Sequence, residues 1–336
     1  MKTAPKIITR IIEAIRSHKV FCVIGHQRPD GDCVGSQIAL ALALRNEGYQ
    51  VTCWNQDTIP QKLVFLDTQK VFTHPEWAQS FDCVIAVDSA SLDRTGEVEQ
   101  FIQDRKVLIN IDHHASNTRY ADINWVAPSV PSSGELIYRL LKAARWVIKP
   151  DIADCLFTAI STDTGSFQYP TTRPSTYEIA GDLVDKGANL AVICDEVYQS
   201  YPLSRVKLLK HVYNHFKLTN DNEIAYFWLR PADYQRTGAT REDTEGLIDH
   251  IRDIAPVIVA CLFEELETEV IRLSLRSKSP NINVNDIAKQ FGGGGHKAAA
   301  GARIKGRPMT IQRRVVKAIR AELAAGKQAD LDKPND

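Results

Sequence analysis

Three short apolar runs, Val20–Ile24, Phe81–Val87 and residues 107–111, each give way within two residues to a histidine or an aspartate. Runs of this length and composition read as buried strands. A fourth lies at 51–54, and stretches with helical spacing at 8–17, 36–47, 135–144, 152–160 and 176–186 alternate with the strands or follow them. Strands alternating with helices wind into a parallel sheet with both faces covered. The predicted fold class is therefore α/β, a doubly wound, largely parallel sheet. In such a sheet the carboxyl ends of the strands share one edge, and ligands bind in the crevice outside it.

Four segments would meet at that edge. The first, His26-x-x-x-Asp30-Gly31-Asp32-x-x-Gly35-Ser36, follows the first strand, and Pro29 with Gly31 predicts a turn that leaves backbone N–H groups free. The second is Asp88, which alone would serve equally well as a helix cap. The third is Asp112-His113-His114; neighbouring strand residues face opposite ways, so one imidazole is expected at the edge and the other elsewhere. The fourth is Thr162-Asp163-Thr164-Gly165, after the helix at 152–160. Each reads singly as a surface turn. Jointly they bring at least four carboxylates into one cleft, where they would repel and raise one another's pKa unless cations lie between them. Two divalent ions do that. Histidine beside carboxylate favours Mn²⁺, with Mg²⁺ or Co²⁺ as alternatives.

The chain has 336 residues with 41 basic and 41 acidic side chains, enough for two cores and without the basic excess that holds long nucleic acid. Its seven cysteines lack a CxxC spacing, and no apolar stretch approaches the roughly 20 residues of a membrane span. A cytoplasmic protein with reduced thiols and no membrane partner is the expectation. Residues 1–187 form the expected catalytic domain and 188–202 a hinge. Residues 203–325 form the smaller α/β domain, with a helix at 203–216 and strands at 224–229, 257–263 and 270–275, and 326–336 a polar, disordered tail. In the smaller domain Arg276 follows an alternating strand, and four glycines, 292–295, precede His296 and Lys297. Such a run lets backbone N–H groups approach an anion closely.

These ordered motifs resemble those of the DHH phosphoesterase superfamily, and Phe291-Gly292-Gly293-Gly294-Gly295-His296 with Arg276-Ser277 resembles the signature of the DHH-associated C-terminal domain. The nearest likeness is to the bifunctional oligoribonucleases and pAp phosphatases. The resemblance spans nearly the whole chain and implies residue roles. His26, Asp30 and Asp88 would bind one metal, and Asp32, Asp88, His113 and Asp163 the other, with Asp88 bridging. Asp112 would orient an imidazole, His114 would face the phosphate, and Arg276, Ser277, Gly293, Gly294, Gly295 and His296 would hold substrate. Ser89-Ala90 departs from the pair that often follows the second-segment acid, which leaves contacts there open. The implied reaction is hydroxide attack on phosphorus, giving 5′-monophosphates from short RNA or DNA oligonucleotides and AMP from pAp; a homodimer is implied too. A cyclic-dinucleotide or pApA phosphodiesterase, a pyrophosphatase or exopolyphosphatase, a RecJ-like single-stranded DNA exonuclease and a non-catalytic nucleotide sensor stand as alternatives.

Overall fold

The computed structural model describes residues 6–77, 79–219, 221–267 and 269–331. The chain divides into two compact units, Met1–Ser200 and Tyr201–Asp336.

In the first unit, strands β1 (Val20–Ile24), β2 (Gln50–Trp54), β3 (Phe72–Thr73), β4 (Phe81–Val87), β5 (Arg105–Asp112) and β6 (Ile123–Val126) form a wholly parallel sheet. Their order is β3-β2-β1-β4-β5-β6, so the winding reverses between β1 and β4. The apolar runs are continuous because both faces are covered. Phe21 and Val23 pack in the larger core, while Cys22 and Ile24 pack with Trp54, Phe81 and Val84 on the other side. Helices α1 (Lys6–Arg16), α2 (Gly31–Asn46), α3 (Val98–Phe101), α4 (Ser133–Ala144), α5 (Pro150–Asp163), α6 (Pro174–Asp185) and α7 (Leu190–Cys194) complete the unit.

Two expectations change here. Helix α2 begins at Gly31 and not at 36, because the Asp30 carboxylate caps it, accepting hydrogen bonds from the N–H groups of Asp32 and Cys33 at 3.1 Å each. Pro29 lies before the cap and obstructs nothing, and those N–H groups are committed to Asp30. The expected hinge is also largely helical: α7 continues into a π turn at Asp195–Gln199, and Ile193 and Val197 are buried in the first unit's core. Apolar residues at 193 and 197 share a helix face, which anchors the segment.

Helices α2 and α5 approach closely at Gly35, where a Cβ would stand 2.4 Å from the Cys155 carbonyl oxygen and 3.0 Å from the Ala159 Cβ. The backbone of α5 cannot give way as a side-chain tip would. Gly35→Ala is expected to lower stability by about 1–3 kcal/mol, read as a lower urea midpoint; an unchanged midpoint would mean that the crossing is looser than described.

The second unit holds helices α8 (Leu203–His215), α9 (Pro231–Thr237), α10 (Leu247–Arg252), α11 (Val284–Lys289) and α12 (Pro308–Leu331). Its strands are β7 (Lys217–Leu218), β8 (Ile224–Leu229), β9 (Val259–Glu267), β10 (Val270–Ser277), β11 (Gly294–Gly295) and β12 (Ala299–Lys305), in the order β11-β12-β10-β9-β8-β7. The sheet is antiparallel except for the β8–β9 pair. The tail expected from 326 is helical to Leu331; Gly326 is a packing position, where a Cβ would meet Ile282 at 2.6 Å, and Lys327 pairs with Glu223 at 2.7 Å. The expectation for 332–336 lies outside the described residues. No helix among the described residues is long and apolar enough to cross a membrane. All seven cysteines are free thiols.

Candidate active site

Where the winding reverses, β1 and β4 deliver side chains to the same crevice. Asp88 leaves β4 with a φ of +53°, a left-handed conformation that an aspartate seldom adopts. Strain of this kind persists where the surroundings over-determine a geometry. Here it turns the carboxylate inward, where it is buried. Its Oδ2 stands 3.4 Å from His26 Nε2, and its Oδ1 stands 3.5 Å from His113 Nε2 and 3.7 Å from His114 Nδ1. The two oxygens thus face different imidazoles.

The remaining side chains close two clusters around that carboxylate. On one side His26 Nε2 lies 3.8 Å from Asp30 Oδ1. The His26 Nδ1 lies 2.9 Å from the Gln27 carbonyl, which only accepts, so Nδ1 carries a hydrogen and Nε2 is the nitrogen turned to Asp30 and Asp88. On the other side His113 Nε2 lies 3.2 Å from Asp163 Oδ2 and 3.7 Å from Asp32 Oδ2. Asp163 comes close because α5 ends against the start of α2: a Cβ on Gly31 would stand 2.4 Å from Thr162 Oγ1. Asp30 is 52% exposed and Asp163 32%, against 1% for Asp32 and 2% for Asp88, so the first two form the mouth and the last two the floor.

Burial, with the charges of Asp88, Asp163 and Asp30, pushes the Asp32 carboxyl well above the usual range. Burial, with Asp30 and Asp88, does the same to Asp163. Asp88 moves the other way. Burial pushes its carboxyl up, but the close His26 imidazole and the charges of His114 and His113 outweigh that and hold it low. The set is therefore short of positive charge at Asp32 and Asp163. Most of the N···O separations, at 3.4–3.8 Å, exceed those of N–H···O hydrogen bonds. Donors that share one ion at about 2.0–2.2 Å stand roughly 3.0–3.5 Å from one another. Asp32, His113 and Asp163 offer ligand atoms within 4.8 Å of each other, as do His26, Cys33 and Asp88. The donor set fits divalent metal. Cys33 fits less well, since burial raises its thiol and its sulfur reaches the His26 carbonyl and Gln37.

Both imidazoles of the histidine pair face the pocket, contrary to the alternation expected, because β5 ends at Asp112 and the pleat ends with it. Asp112, fully buried, lies 2.8 Å from His114 Nδ1 and accepts from Asn117 Nδ2 at 2.6 Å. Burial pulls the His114 imidazole down, but the Asp112 hydrogen bond and the charges of Asp88, Asp112 and Asp163 raise it to about 9.

The N-terminus of α4 is a part of the site that the motifs did not reveal. Ser133 N and Gly134 N donate to the two oxygens of Asp32 at 2.6 and 2.8 Å, and Ser133 Oγ donates to Asp88 Oδ1 at 2.9 Å. A helix N-terminus favours a carboxylate there. The signal lay in Ser132-x-x-Glu135, a helix-start pattern in which Ser132 Oγ accepts from Glu135 N.

The DHH family, N-terminal domain, matches residues 20–160, and the DHHA1 domain matches 221–325. The bifunctional oligoribonuclease and PAP phosphatase NrnA of Mycoplasma genitalium is 30% identical over 305 residues, 88% of this chain and 92% of that protein. The chain belongs to the DHH family. Another DHH relative, the Thermus thermophilus protein of the same name, is 29% identical over 325 residues, 95% of this chain and 94% of its own length. An exopolyphosphatase-related protein from Bacteroides fragilis superposes with a TM-score of 0.88 at 25% identity, covering 97% of this chain and 99% of that one.

The DHHA1 part of the chain carries the other expected residues. Arg276, on β10, is 31% exposed, with Nε 3.7 Å from Asp249 Oδ1. Ser277 is buried and its hydroxyl donates to the Ser279 carbonyl. The glycine run is built into the sheet, its last two residues forming β11. A Cβ on Gly293 would meet the Gly301 oxygen at 2.0 Å and one on Gly295 the Ala299 oxygen at 2.5 Å, so these glycines admit β12. Gly294 lies in β11, at the sheet's edge, and the His296 N–H donates to the Ala299 carbonyl at 2.7 Å.

Proposed function

We propose that this chain is a divalent-metal phosphoesterase that hydrolyses short oligonucleotides to nucleoside 5′-monophosphates and pAp to AMP and phosphate. The observation that carries the reading is Asp88, whose two oxygens face His26 on one side and His113 on the other. His26, Asp30 and Asp88 would hold one ion; Asp32, Asp88, His113 and Asp163 would hold the second. Imidazole beside carboxylate favours Mn²⁺. When bound, such ions offset the carboxylate charge, polarise the phosphoryl oxygens and make water a nucleophile at neutral pH.

The protein's own groups do the rest. Ser133, Gly134 and the α4 N-terminus fix Asp32 and Asp88 before substrate arrives, so no reorganisation is needed as charge develops. His114, held by its hydrogen bond to Asp112, would face the phosphate and supply a proton to the departing 3′ oxygen. Water adds to phosphorus through its oxygen, the P–O3′ bond breaks, the 3′ hydroxyl leaves with the proton from His114, and the proton lost by the water passes to solvent, from which His114 is reprotonated. The same bond is cut in a dinucleotide and in pAp. In the second unit Arg276, Ser277, Gly293, Gly294, Gly295 and His296 are proposed to hold the substrate phosphate. The buried free thiols suit a reducing cytoplasm.

The balanced charge of the chain and the relatives' names both favour short substrates. With Mn²⁺, a 3-mer and a 5-mer RNA are expected to be degraded to monophosphates at least about tenfold faster than a 24-mer, by chromatography of the products. Equal rates on the 24-mer would overturn the length preference, and turnover confined to linear pApA would favour the cyclic-dinucleotide pathway of chemistry over general oligonucleotide decay.

A further inference from the structure

We propose that Tyr177 is a stacking platform for the nucleobase attached to the phosphate being hydrolysed, an inference that rests on the phosphoesterase reading. Immediately beyond Asp163 the chain takes three consecutive left-handed residues, Gly165, Ser166 and Phe167, with φ of 56°, 57° and 65°. Glycine adopts this freely; serine and phenylalanine seldom do. Gly165 is needed for a second reason, since a Cβ there would stand 2.4 Å from the Tyr169 ring. The turn inserts Phe167 between Phe157, 5.8 Å away between ring centroids, and Tyr177, stacked on it at 5.5 Å and 27°. The Tyr177 hydroxyl donates to the Phe167 carbonyl at 3.1 Å and fixes the ring. One face of Tyr177 is thus covered and the side chain is still 57% exposed.

The residue before this ring is tied to the site's carboxylate floor. The neighbouring residue, Thr176, donates to Glu135 Oε2 at 3.0 Å, and Glu135 follows Gly134, whose N–H holds Asp32. The platform therefore stands one helix start away from the carboxylate floor, and the strained turn that supports it begins two residues after Asp163. A fixed, half-covered aromatic ring offers one flat apolar face, which matches a base and accepts any base. What separates this ring from an ordinary exposed tyrosine is that one face is stacked on Phe167 and its hydroxyl is tied to the Phe167 carbonyl, so the other face is held open in one orientation.

The test is equilibrium binding of AMP and of ribose 5-phosphate to the full chain in Mn²⁺, for the natural protein and for Tyr177→Ala and Tyr177→Phe. The natural protein is expected to bind AMP about tenfold more tightly than ribose 5-phosphate, the size of one base–aromatic stack. Tyr177→Ala should bind the two equally, with ribose 5-phosphate affinity unchanged, and Tyr177→Phe should keep the preference. A preference that survives in Tyr177→Ala overturns the platform, as does an equal loss of both ligands, which would mark a merely structural ring. Failure of pAp hydrolysis alone would overturn the phosphoesterase reading while the base preference stayed readable.

Discussion

Asp88→Asn is expected to lower turnover of pAp and of dinucleotides by about a thousandfold or more, because one side chain serves both halves of the proposed centre. The amide keeps the shape, and its oxygen can still accept from Ser133 Oγ, so the backbone bend at this residue is preserved. What is lost is the negative charge shared between His26 and His113. The variant should also bind fewer than two Mn²⁺ per chain by elemental analysis after dialysis, with an unaltered far-ultraviolet circular dichroism spectrum. Retained turnover with two bound ions would mean that Asp88 is not shared. Asp163, at the mouth and on one side only, should when changed to Asn have a smaller effect on metal content than Asp88 does.

Divalent metal is expected to stabilise the protein strongly, and most strongly at neutral pH. At a free concentration of 100 times Kd, one site adds about 2.7 kcal/mol, and two sites would raise the melting temperature by roughly 10–20 °C. The pH dependence is led by the groups whose pKa is raised, with His113, which burial pulls down, working against them below about 6.5. Asp32 and Asp163 have folded pKa values raised above the unfolded ones. Without metal, the folded state then binds more protons than the unfolded state from the unfolded aspartate pKa near 3.9 up to the folded values. Stability from these two groups is fully present below that window and is lost as pH rises through it. His114 adds in the same direction, its contribution being full below about 6.5 and lost as pH rises through about 9. Asp88, held low, contributes above the unfolded aspartate pKa and loses its contribution as pH falls through its folded value. Thermal melts of the chelator-treated protein between pH 5 and 8, with and without Mn²⁺, would display this. A metal-free melting temperature that rises steadily over that range would contradict the crowding at Asp32 and Asp163.

Much of this site could be read from the chain because parallel-sheet topology converts sequence motifs into spatial ones. Residues that follow β1, β4 and β5 must meet at one edge, so His26, Asp88 and His113 converge wherever the sheet is parallel and the winding reverses between β1 and β4. The starting point of α2 is not legible in the sequence, because proline and glycine there carry the composition of a turn. Pro29 lies before the cap, and Gly31 begins the helix where Thr162 leaves no room for a side chain. Pairing of a strand as short as Gly294–Gly295 depends on a partner distant in sequence, and glycines carry no alternation to reveal it. The contribution of α4 was hidden because backbone N–H groups bear no residue type. A helix start could be inferred from Ser132 and Glu135, but not that it would point at Asp32. The helical end of the chain shows that a polar composition does not by itself unfold a segment that a close contact such as Gly326 on Ile282 holds in place.

The most direct test is the release of inorganic phosphate and AMP from pAp by the full chain, with Mn²⁺, with excess chelator, and with Mn²⁺ restored. The account predicts phosphate and AMP in equal amounts with metal, neither with chelator, and recovery when Mn²⁺ is returned. Phosphate release that persists in chelator, or an Mn²⁺-loaded protein that cleaves neither pAp nor a dinucleotide, would contradict it.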